Sequence, residues 1–194
     1  LTIAYAALHL FYSFSLKHIP ILDVMAIATG FILRVYAGAV VVNLHMSVWF
    51  LLTVISAALF LAVGKRQSER TLMEGSGNTR KALEHYSQRL LDIYTGMFAN
   101  TTWLTYALYA FQSDEYVPAG KLLKVYTVLP RTFITQKWLM LTVPLVIYGV
   151  MRYLQLVYEK NRGESPDKVL LEDKPLLISV VLWAVSVMVV LYVF

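Results

Sequence analysis

Two residues near the start of this 194-residue chain could bind an anion, the tyrosine at position 12 and the lysine at position 17. Tyr12 offers a neutral hydroxyl and Lys17 offers a positive charge, and both groups suit a phosphate. An aromatic residue beside a lysine is also common at a membrane surface, where the pair only anchors a helix end. Both interpretations stay open at this point.

A second group of charged residues follows Gly64 and contains Lys65, Arg66 and Glu69. Arginine binds phosphate through paired N–H groups, while a carboxylate can help to hold Mg²⁺ against diphosphate oxygens. The three residues are therefore candidate catalytic residues, and Glu69 is also a candidate metal ligand. The same spacing fits an ordinary ion pair on a helix surface.

A third candidate is Arg34, which lies within an apolar stretch and shares a helix face with Asp23 and Gly30. An ionised group inside a membrane costs several kcal/mol unless it faces a polar cavity or a partner. Arg34 is therefore a candidate substrate-binding residue. The alternative is a structural contact with Asp92 or Asn100.

The elements that position these residues are predicted to be membrane-crossing helices. The chain is 58% hydrophobic with a mean hydropathy of +0.61, more apolar than a water-soluble domain. A bilayer core of about 30 Å requires about 20 apolar residues in a helix. Four stretches approach or exceed that length, at residues 21–42, 47–64, 139–157 and 176–194.

Two further helices complete a predicted set of six. Residues 90–111 are long enough but carry Asp92 and Asn100, so this helix is expected to be buried within the bundle. Residues 1–16 reach only about 24 Å. The prediction is an all-α polytopic transmembrane bundle that forms one domain over residues 1–194.

The connecting segments place most cations on one side of the membrane. The segments 65–88 and 159–173 are predicted to form a polar cap there, and a short interfacial helix is predicted at 121–128 on the other side. By the positive-inside rule the basic side faces the cytoplasm. It holds 12 of the 17 cations: Lys17, Lys65, Arg66, Arg70, Arg80, Lys81, Arg89, Arg152, Lys160, Arg162, Lys168 and Lys174.

Composition and spacing argue against several classes of site. The chain has no cysteine, so it cannot form a disulfide or hold an iron–sulfur centre. No two of its four histidines have metal-ligand spacing, so neither zinc nor haem is expected. The tyrosines and tryptophans near segment ends indicate interfacial anchoring, and no nucleic-acid partner is expected.

Four stretches of the sequence carry a resemblance to a known family. They are residues 12–20 followed by Asp23, residues 30–38, residues 64–69 and residues 165–176. Together they resemble the UbiA superfamily of membrane prenyltransferases, and within it the polyprenyl-phosphate phosphoribosyltransferase branch. The resemblance implies a nine-helix fold in which these six helices are the fourth to the ninth. It also implies that an Asp-rich Mg²⁺ motif lies upstream, in N-terminal helices absent from this sequence.

One departure from the superfamily pattern favours a particular branch. Aromatic prenyltransferases of the superfamily have a second Asp-rich motif where this chain has Lys65, Arg66 and Glu69. The resemblance thus implies transfer of a 5-phosphoribosyl group from 5-phosphoribosyl 1-diphosphate to a polyprenyl monophosphate, with Mg²⁺. Lys17, Lys65 and Arg66 would bind the donor phosphates, and Glu69 would contact the metal or the ribose.

The remaining expectations concern other residues and partners. Tyr12 would orient the substrate, while Arg34 would bind the acceptor phosphate or stabilise the cavity. The implied location is a bacterial inner membrane with the active face towards the cytoplasm, in a cell-wall pathway. Assembly into a homo-oligomer is left open.

Two alternatives from other classes stay open. One is a prenyltransferase of the same fold that acts on an aromatic or other small acceptor. The other is a non-catalytic bundle, either transporter-like or structural.

Overall fold

The computed structural model describes residues 2–14, 16, 19–43, 46–74, 86–113, 137–160 and 166–193. Within these ranges the chain is helical and contains no strand, which confirms the predicted all-α class. The helices are α1 (Thr2–Phe14), α2 (Leu22–Val41), α3 (Val48–Glu74), α4 (Gln88–Gln112), α5 (Val143–Lys160, after a 3₁₀ turn at Trp138–Thr142), α6 (Pro166–Glu172) and α7 (Lys174–Val193).

Four of these helices are long and apolar enough to cross a membrane, within the residues described. They correspond to the four strongest hydrophobic stretches of the sequence and span Leu22–Val41, Val48–Thr71, Trp138–Glu159 and Lys174–Leu191. The chain is therefore a multi-pass membrane protein. α1 has 13 residues and extends only about 20 Å, and α4 is long enough but more polar.

Polar side chains fix where several helices begin. Ser47 and Ser87 precede α3 and α4, and their hydroxyls accept hydrogen bonds from the Phe50 and Leu90 amides at 3.2 and 3.1 Å. Asp173 does the same for α7, where its Oδ1 accepts from the Leu176 amide at 3.0 Å. Each side chain satisfies an amide that has no partner within the helix.

Small and branched apolar residues bring α2, α3 and α4 together. The first core cluster includes Ala28 of α2, Ala62 and Val63 of α3, and Leu91 of α4, all almost fully buried. A second cluster joins α3 to α5 through Phe60 and Leu156. α3 thus packs against α2 and α4 in one cluster and against α5 in the other. Its last turns reach the polar end of the bundle, which carries Lys65, Arg66 and Glu69.

Two predictions about the helices are wrong, one on a helix end and one on burial. Residues 65–88 are predicted to form a polar connecting segment after an apolar stretch that ends at Gly64, but α3 continues to Glu74. Apolarity does fall after Gly64, yet lysine, arginine, glutamine and glutamate all favour helix and extend it. α4 was expected to be buried within the bundle, whereas Ile93, Met97 and Leu104 are exposed on one of its faces.

Side-chain contacts show that successive long helices run antiparallel. Early residues of α2 and α4 contact late residues of α3, and the residue before α7 contacts α5. At the opposite end, Tyr106 of α4 bonds to Thr142 and Trp183. The predicted interfacial helix at 121–128 lies outside the described residues.

Candidate active site

Arg66 contacts side chains from three helices at the polar end of the bundle. Its Nε lies 2.7 Å from Oδ2 of Asp23, at the start of α2. Its Nη2 donates to the Tyr12 hydroxyl of α1 at 2.7 Å, and its Nη1 donates to Oε2 of Glu69 on α3. The Nε contact is an ion pair without hydrogen-bond alignment. We call Tyr12, Asp23, Lys65, Arg66, Glu69 and Tyr86 the Arg66 cluster.

Both ends of the Arg66 ion pair are buried. Arg66 and Asp23 are 3% and 1% exposed, and Glu69 is 7% exposed. Removing one member of a buried ion pair leaves the other charge uncompensated. The cluster is therefore a fixed arrangement in which one guanidinium contacts two carboxylates.

Tyr86, just before α4, completes the contacts of Asp23. Its hydroxyl donates to Oδ1 of Asp23 at 2.8 Å and accepts a hydrogen bond from the Ile21 amide. The Val24 amide also donates to Oδ1 at 2.7 Å. Burial raises the pKa of Tyr86 above its usual value, so the hydroxyl stays protonated and can donate to Asp23.

Lys65 is the accessible cation of the cluster. Its side chain is 37% exposed, and Nζ lies 4.0 Å from Oε1 of Glu69. A partly exposed pair at this distance contributes only about 0–1 kcal/mol. The ammonium group can therefore turn towards an anion in solution at little cost, unlike the enclosed guanidinium of Arg66.

The carboxylates of the cluster do not fit a divalent cation in this arrangement. Oε2 of Glu69 accepts from Arg66, and Oε1 faces Lys65, so both oxygens lie beside positive charge. The described residues contain no group of three or more His, Asp or Glu side chains that could hold a metal ion. The prediction that Glu69 binds a metal gains no support from these contacts.

The structure brings together four of the six predicted site residues. Tyr12, Lys65, Arg66 and Glu69 lie in the Arg66 cluster. Lys17 lies outside the described residues. That Arg66 touches a donor phosphate stays a prediction, and such contact would require at least one of its present partners to move.

Arg34 lies apart from the cluster. It is roughly 16 Å from Asp23 along the axis of α2, at 1.5 Å per residue. Its Nε donates to the Tyr5 hydroxyl at 3.1 Å, and its guanidinium lies 5.3 Å from the centre of the Tyr5 ring. The alternative that Asp92 or Asn100 binds Arg34 is wrong, because Tyr5 of α1 supplies the partner.

Asp92 instead links three helices beside the cluster. Its Oδ1 accepts from Nε2 of Gln67 at 2.8 Å and from the Tyr158 hydroxyl at 3.0 Å. Gln67 follows Arg66 directly, so this contact holds the same turn of α3 against α4 and α5. The polar character of α4 thus serves to position the end of α3.

A second ion pair fixes the start of α7. Arg152 of α5 donates to both carboxylate oxygens of Asp173, at 3.0 and 2.8 Å. Because Asp173 also caps α7, the pair joins that helix end to α5. Asp173 belongs to the stretch 165–176 that carried part of the family resemblance. Its observed contacts are structural.

Gly64 allows α3 and α5 to approach closely next to the cluster. A Cβ at this position would lie 2.9 Å from Cε1 and 3.0 Å from the hydroxyl of Tyr153. Both distances are shorter than ordinary contacts, so a larger residue would push α5 away. The glycine therefore sets the position of Lys65 and Arg66, which follow it on α3.

Sequence reasoning missed the role of Tyr86 in the site. Tyr86 falls in a segment read as a polar cap loop, and no local spacing connects it to Asp23. Asp23 was noticed only for sharing a face with Arg34 and for its place in the resemblance. One signal was available, because a tyrosine immediately before the Ser87 helix cap must lie close to the end of the neighbouring helices.

Three curated relatives match nearly all of this chain. It is 31% identical over 191 residues to a decaprenyl-phosphate phosphoribosyltransferase of Corynebacterium glutamicum, covering 97% of the chain and 52% of the relative. The corresponding values are 32% over 180 residues for Mycolicibacterium smegmatis (92% and 54%) and 30% over 186 residues for Mycobacterium tuberculosis (95% and 55%), both proteins of the same name.

The chain spans about half the length of these relatives. No protein-family model matches it. The three relatives agree in name, and each match covers more than nine tenths of this chain. By sequence, this chain is a homologue of the decaprenyl-phosphate phosphoribosyltransferases, a branch of the UbiA superfamily.

Proposed function

We propose that the full-length protein transfers a 5-phosphoribosyl group from 5-phosphoribosyl 1-diphosphate to a polyprenyl monophosphate. The observation that carries the proposal is the match to three decaprenyl-phosphate phosphoribosyltransferases over more than nine tenths of the chain. The accessible Lys65, which lies beside Glu69 and next to the buried Arg66, gives the proposal a physical basis. The polyprenyl chain length is left open.

The reaction needs no covalent intermediate with the protein. A phosphate oxygen of the acceptor would attack the anomeric carbon of the ribose, and the bond from that carbon to the diphosphate would break. The negative charge that develops on the leaving diphosphate requires fixed positive groups nearby. Catalysis would then consist of positioning and electrostatic stabilisation.

We assign contact with the donor phosphate to the accessible Lys65 and a supporting role to Arg66. Lys65 would contact a donor phosphate, joined by Lys17 as the resemblance implies. Arg66 would hold Glu69 and the Tyr12 hydroxyl in place. It would also offset part of the negative charge of Asp23 and Glu69, which would otherwise repel a polyanionic donor.

Mg²⁺ is an expectation that comes from the resemblance. The described residues of this chain do not form its site, so no step is assigned to it here. Arg34 lies too far along α2 to touch a donor bound at Lys65. The roles proposed for Arg34 are therefore to bind the acceptor phosphate or to stabilise the cavity.

The proposed location is the inner membrane, with the Arg66 cluster at the cytoplasmic face. The segments that the sequence assigns to this side of the membrane hold 12 of the 17 cations, and positive residues favour the cytoplasmic side. A lipid acceptor would reach this end from within the bilayer, and the soluble donor would arrive from water.

The test is an assay of the purified full-length protein in detergent with Mg²⁺. Label supplied in 5-phosphoribosyl 1-diphosphate should move to polyprenyl phosphate and give a labelled lipid. Transfer of a prenyl group from prenyl diphosphate to an aromatic acceptor, with no labelled ribosyl lipid, would contradict the proposal. Absence of both reactions would favour a non-catalytic bundle.

A further inference from the structure

We propose that Tyr86 is a positioning residue for the transfer site. In this role the Tyr86 hydroxyl holds Asp23, and Asp23 in turn holds the Arg66 guanidinium that binds Tyr12 and Glu69. The inference rests on the proposed function and extends it to a residue that neither the sequence pattern nor the resemblance assigned.

The Tyr86 hydroxyl and the Arg66 guanidinium contact different oxygens of the Asp23 carboxylate. It donates to Oδ1 of Asp23 at 2.8 Å, while Oδ2 of the same carboxylate lies 2.7 Å from Nε of Arg66. The carboxylate thus bridges the two residues and cannot rotate without losing one of them. Tyr86 is 1% exposed, so water cannot easily replace its hydroxyl.

The second contact of Tyr86 is with the turn that precedes α2. Ile21 has φ of 70°, in a region that residues branched at Cβ rarely adopt. A backbone of this kind persists only where surrounding contacts hold it. The Ile21 amide donates to the Tyr86 hydroxyl, so one phenol holds both the turn and the first charged residue of α2.

Among the residues that the structure describes, few other contacts fix the orientation of Asp23. Apart from Tyr86 and Arg66, its described hydrogen bond comes from the adjacent Val24 amide. Without the Tyr86 hydroxyl, the carboxylate can turn about its own side-chain bonds. Arg66 would then shift, and the Tyr12 hydroxyl and the Glu69 carboxylate that it holds would lose their fixed positions.

The experiment compares Tyr86→Phe with the wild-type full-length protein in detergent. Removing one hydroxyl leaves the ring packed in the core cluster that contains Tyr86. A displacement of about 1 Å at a reacting group can cost up to about 100-fold in rate, and we expect kcat to fall roughly tenfold. The KM for 5-phosphoribosyl 1-diphosphate should stay within about twofold, because Lys65 remains accessible.

A matched control is Tyr94→Phe. Tyr94 lies on α4 and packs against the same core cluster, but it makes none of the contacts of the Arg66 cluster. This variant should retain the wild-type kcat. A general loss of packing would affect both variants, whereas loss of positioning affects only Tyr86→Phe.

Hydrogen–deuterium exchange supplies a measurement that does not depend on activity. Amides of residues 21–24 should exchange faster in Tyr86→Phe than in the wild type and in Tyr94→Phe, because the Ile21 amide loses its acceptor. Faster exchange together with a lower kcat supports the inference. Wild-type exchange and wild-type kcat in Tyr86→Phe, measured on an active parent protein, overturn it. A wild-type protein that transfers no phosphoribosyl group overturns the proposed function instead.

Discussion

Nε of Arg66 lies 2.7 Å from Oδ2 of Asp23, and this ion pair joins the late part of α3 to the first turn of α2. Both residues are almost fully buried at the polar end of a membrane bundle. Tyr12 and Glu69 bind the same guanidinium. The position of the only accessible cation in the Arg66 cluster, Lys65, therefore depends on contacts made by its neighbour.

Replacing Arg66 should destabilise the protein more than replacing an exposed arginine does. Arg66→Ala leaves the buried carboxylate of Asp23 without a counter-charge and removes the hydrogen-bonded partner of Glu69, and breaking a buried pair costs about 3–5 kcal/mol. We expect the detergent-solubilised variant to lose its monodisperse size-exclusion peak at a much lower temperature than the wild type. Arg89→Ala, at an exposed position in the first turn of α4, is the control and should have little effect. An Arg66→Ala protein as stable as the wild type would contradict the buried ion pair.

Gly64→Ala should destabilise the contact between α3 and α5. The added methyl group would lie 2.9 Å from Cε1 of Tyr153, so the buried Tyr153 ring or one of the helices must shift. Gly96→Ala is the matched control, because nothing lies within 4 Å of its Cβ position. Alanine is favoured over glycine in a helix by about 1 kcal/mol, so the control should be neutral or stabilising.

The measurement is thermal unfolding of both glycine variants in the same detergent. Gly64→Ala/Tyr153→Leu should recover part of the loss, since leucine lacks the ring edge that the methyl group meets. Equal midpoints for Gly64→Ala and Gly96→Ala would show that α3 and α5 do not approach as closely as described.

Asp173 can be tested for its two roles separately. Asp173→Asn keeps an oxygen that accepts from the Leu176 amide but loses the charge that binds Arg152. Asp173→Ala loses both contacts, and loss of a helix cap costs about 1 kcal/mol. The thermal midpoint should therefore fall in the order wild type, Asp173→Asn, Asp173→Ala.

The same two variants also distinguish the ion pair from the helix cap at the start of α7, because only the ion pair depends on salt. Raising the salt concentration should lower the thermal midpoint of the wild type towards that of Asp173→Asn, because a partly exposed ion pair is screened. It should leave the difference between Asp173→Asn and Asp173→Ala unchanged. A salt dependence identical in all three proteins would contradict a stabilising Arg152–Asp173 pair.

Local patterns in the sequence were sufficient to predict much of the fold. The four crossing helices follow from apolar length alone, because a bilayer demands that length of any helix. The pairing of Arg66 with Glu69 follows from helical spacing, since residues three apart lie on one face. Tyr12 is a candidate from its side-chain chemistry, and the structure places its hydroxyl within hydrogen-bond distance of Arg66.

Contacts between distant segments could not be predicted in the same way. The binding of Arg66 to Asp23 depends on how α2 and α3 pack, and the small residues Ala28 and Ala62 permit that packing without specifying its register. Tyr86 lies in a segment with no periodic pattern. The structural alternative for Arg34 named an acidic or amide partner, Asp92 or Asn100, whereas the neutral phenol of Tyr5 accepts its hydrogen bonds.

The central claim is that this end of the bundle binds the phosphate groups of a phosphoribosyl donor through Lys65. The most direct measurement is the KM for 5-phosphoribosyl 1-diphosphate of Lys65→Ala in the full-length protein, with Lys168→Ala, an exposed cation of α6, as the control. A charge-assisted contact to phosphate is worth about 1.5–3 kcal/mol, so KM should rise about tenfold or more for Lys65→Ala and stay unchanged for Lys168→Ala. A Lys65→Ala protein that is folded and transfers phosphoribosyl groups with the wild-type KM would contradict the claim.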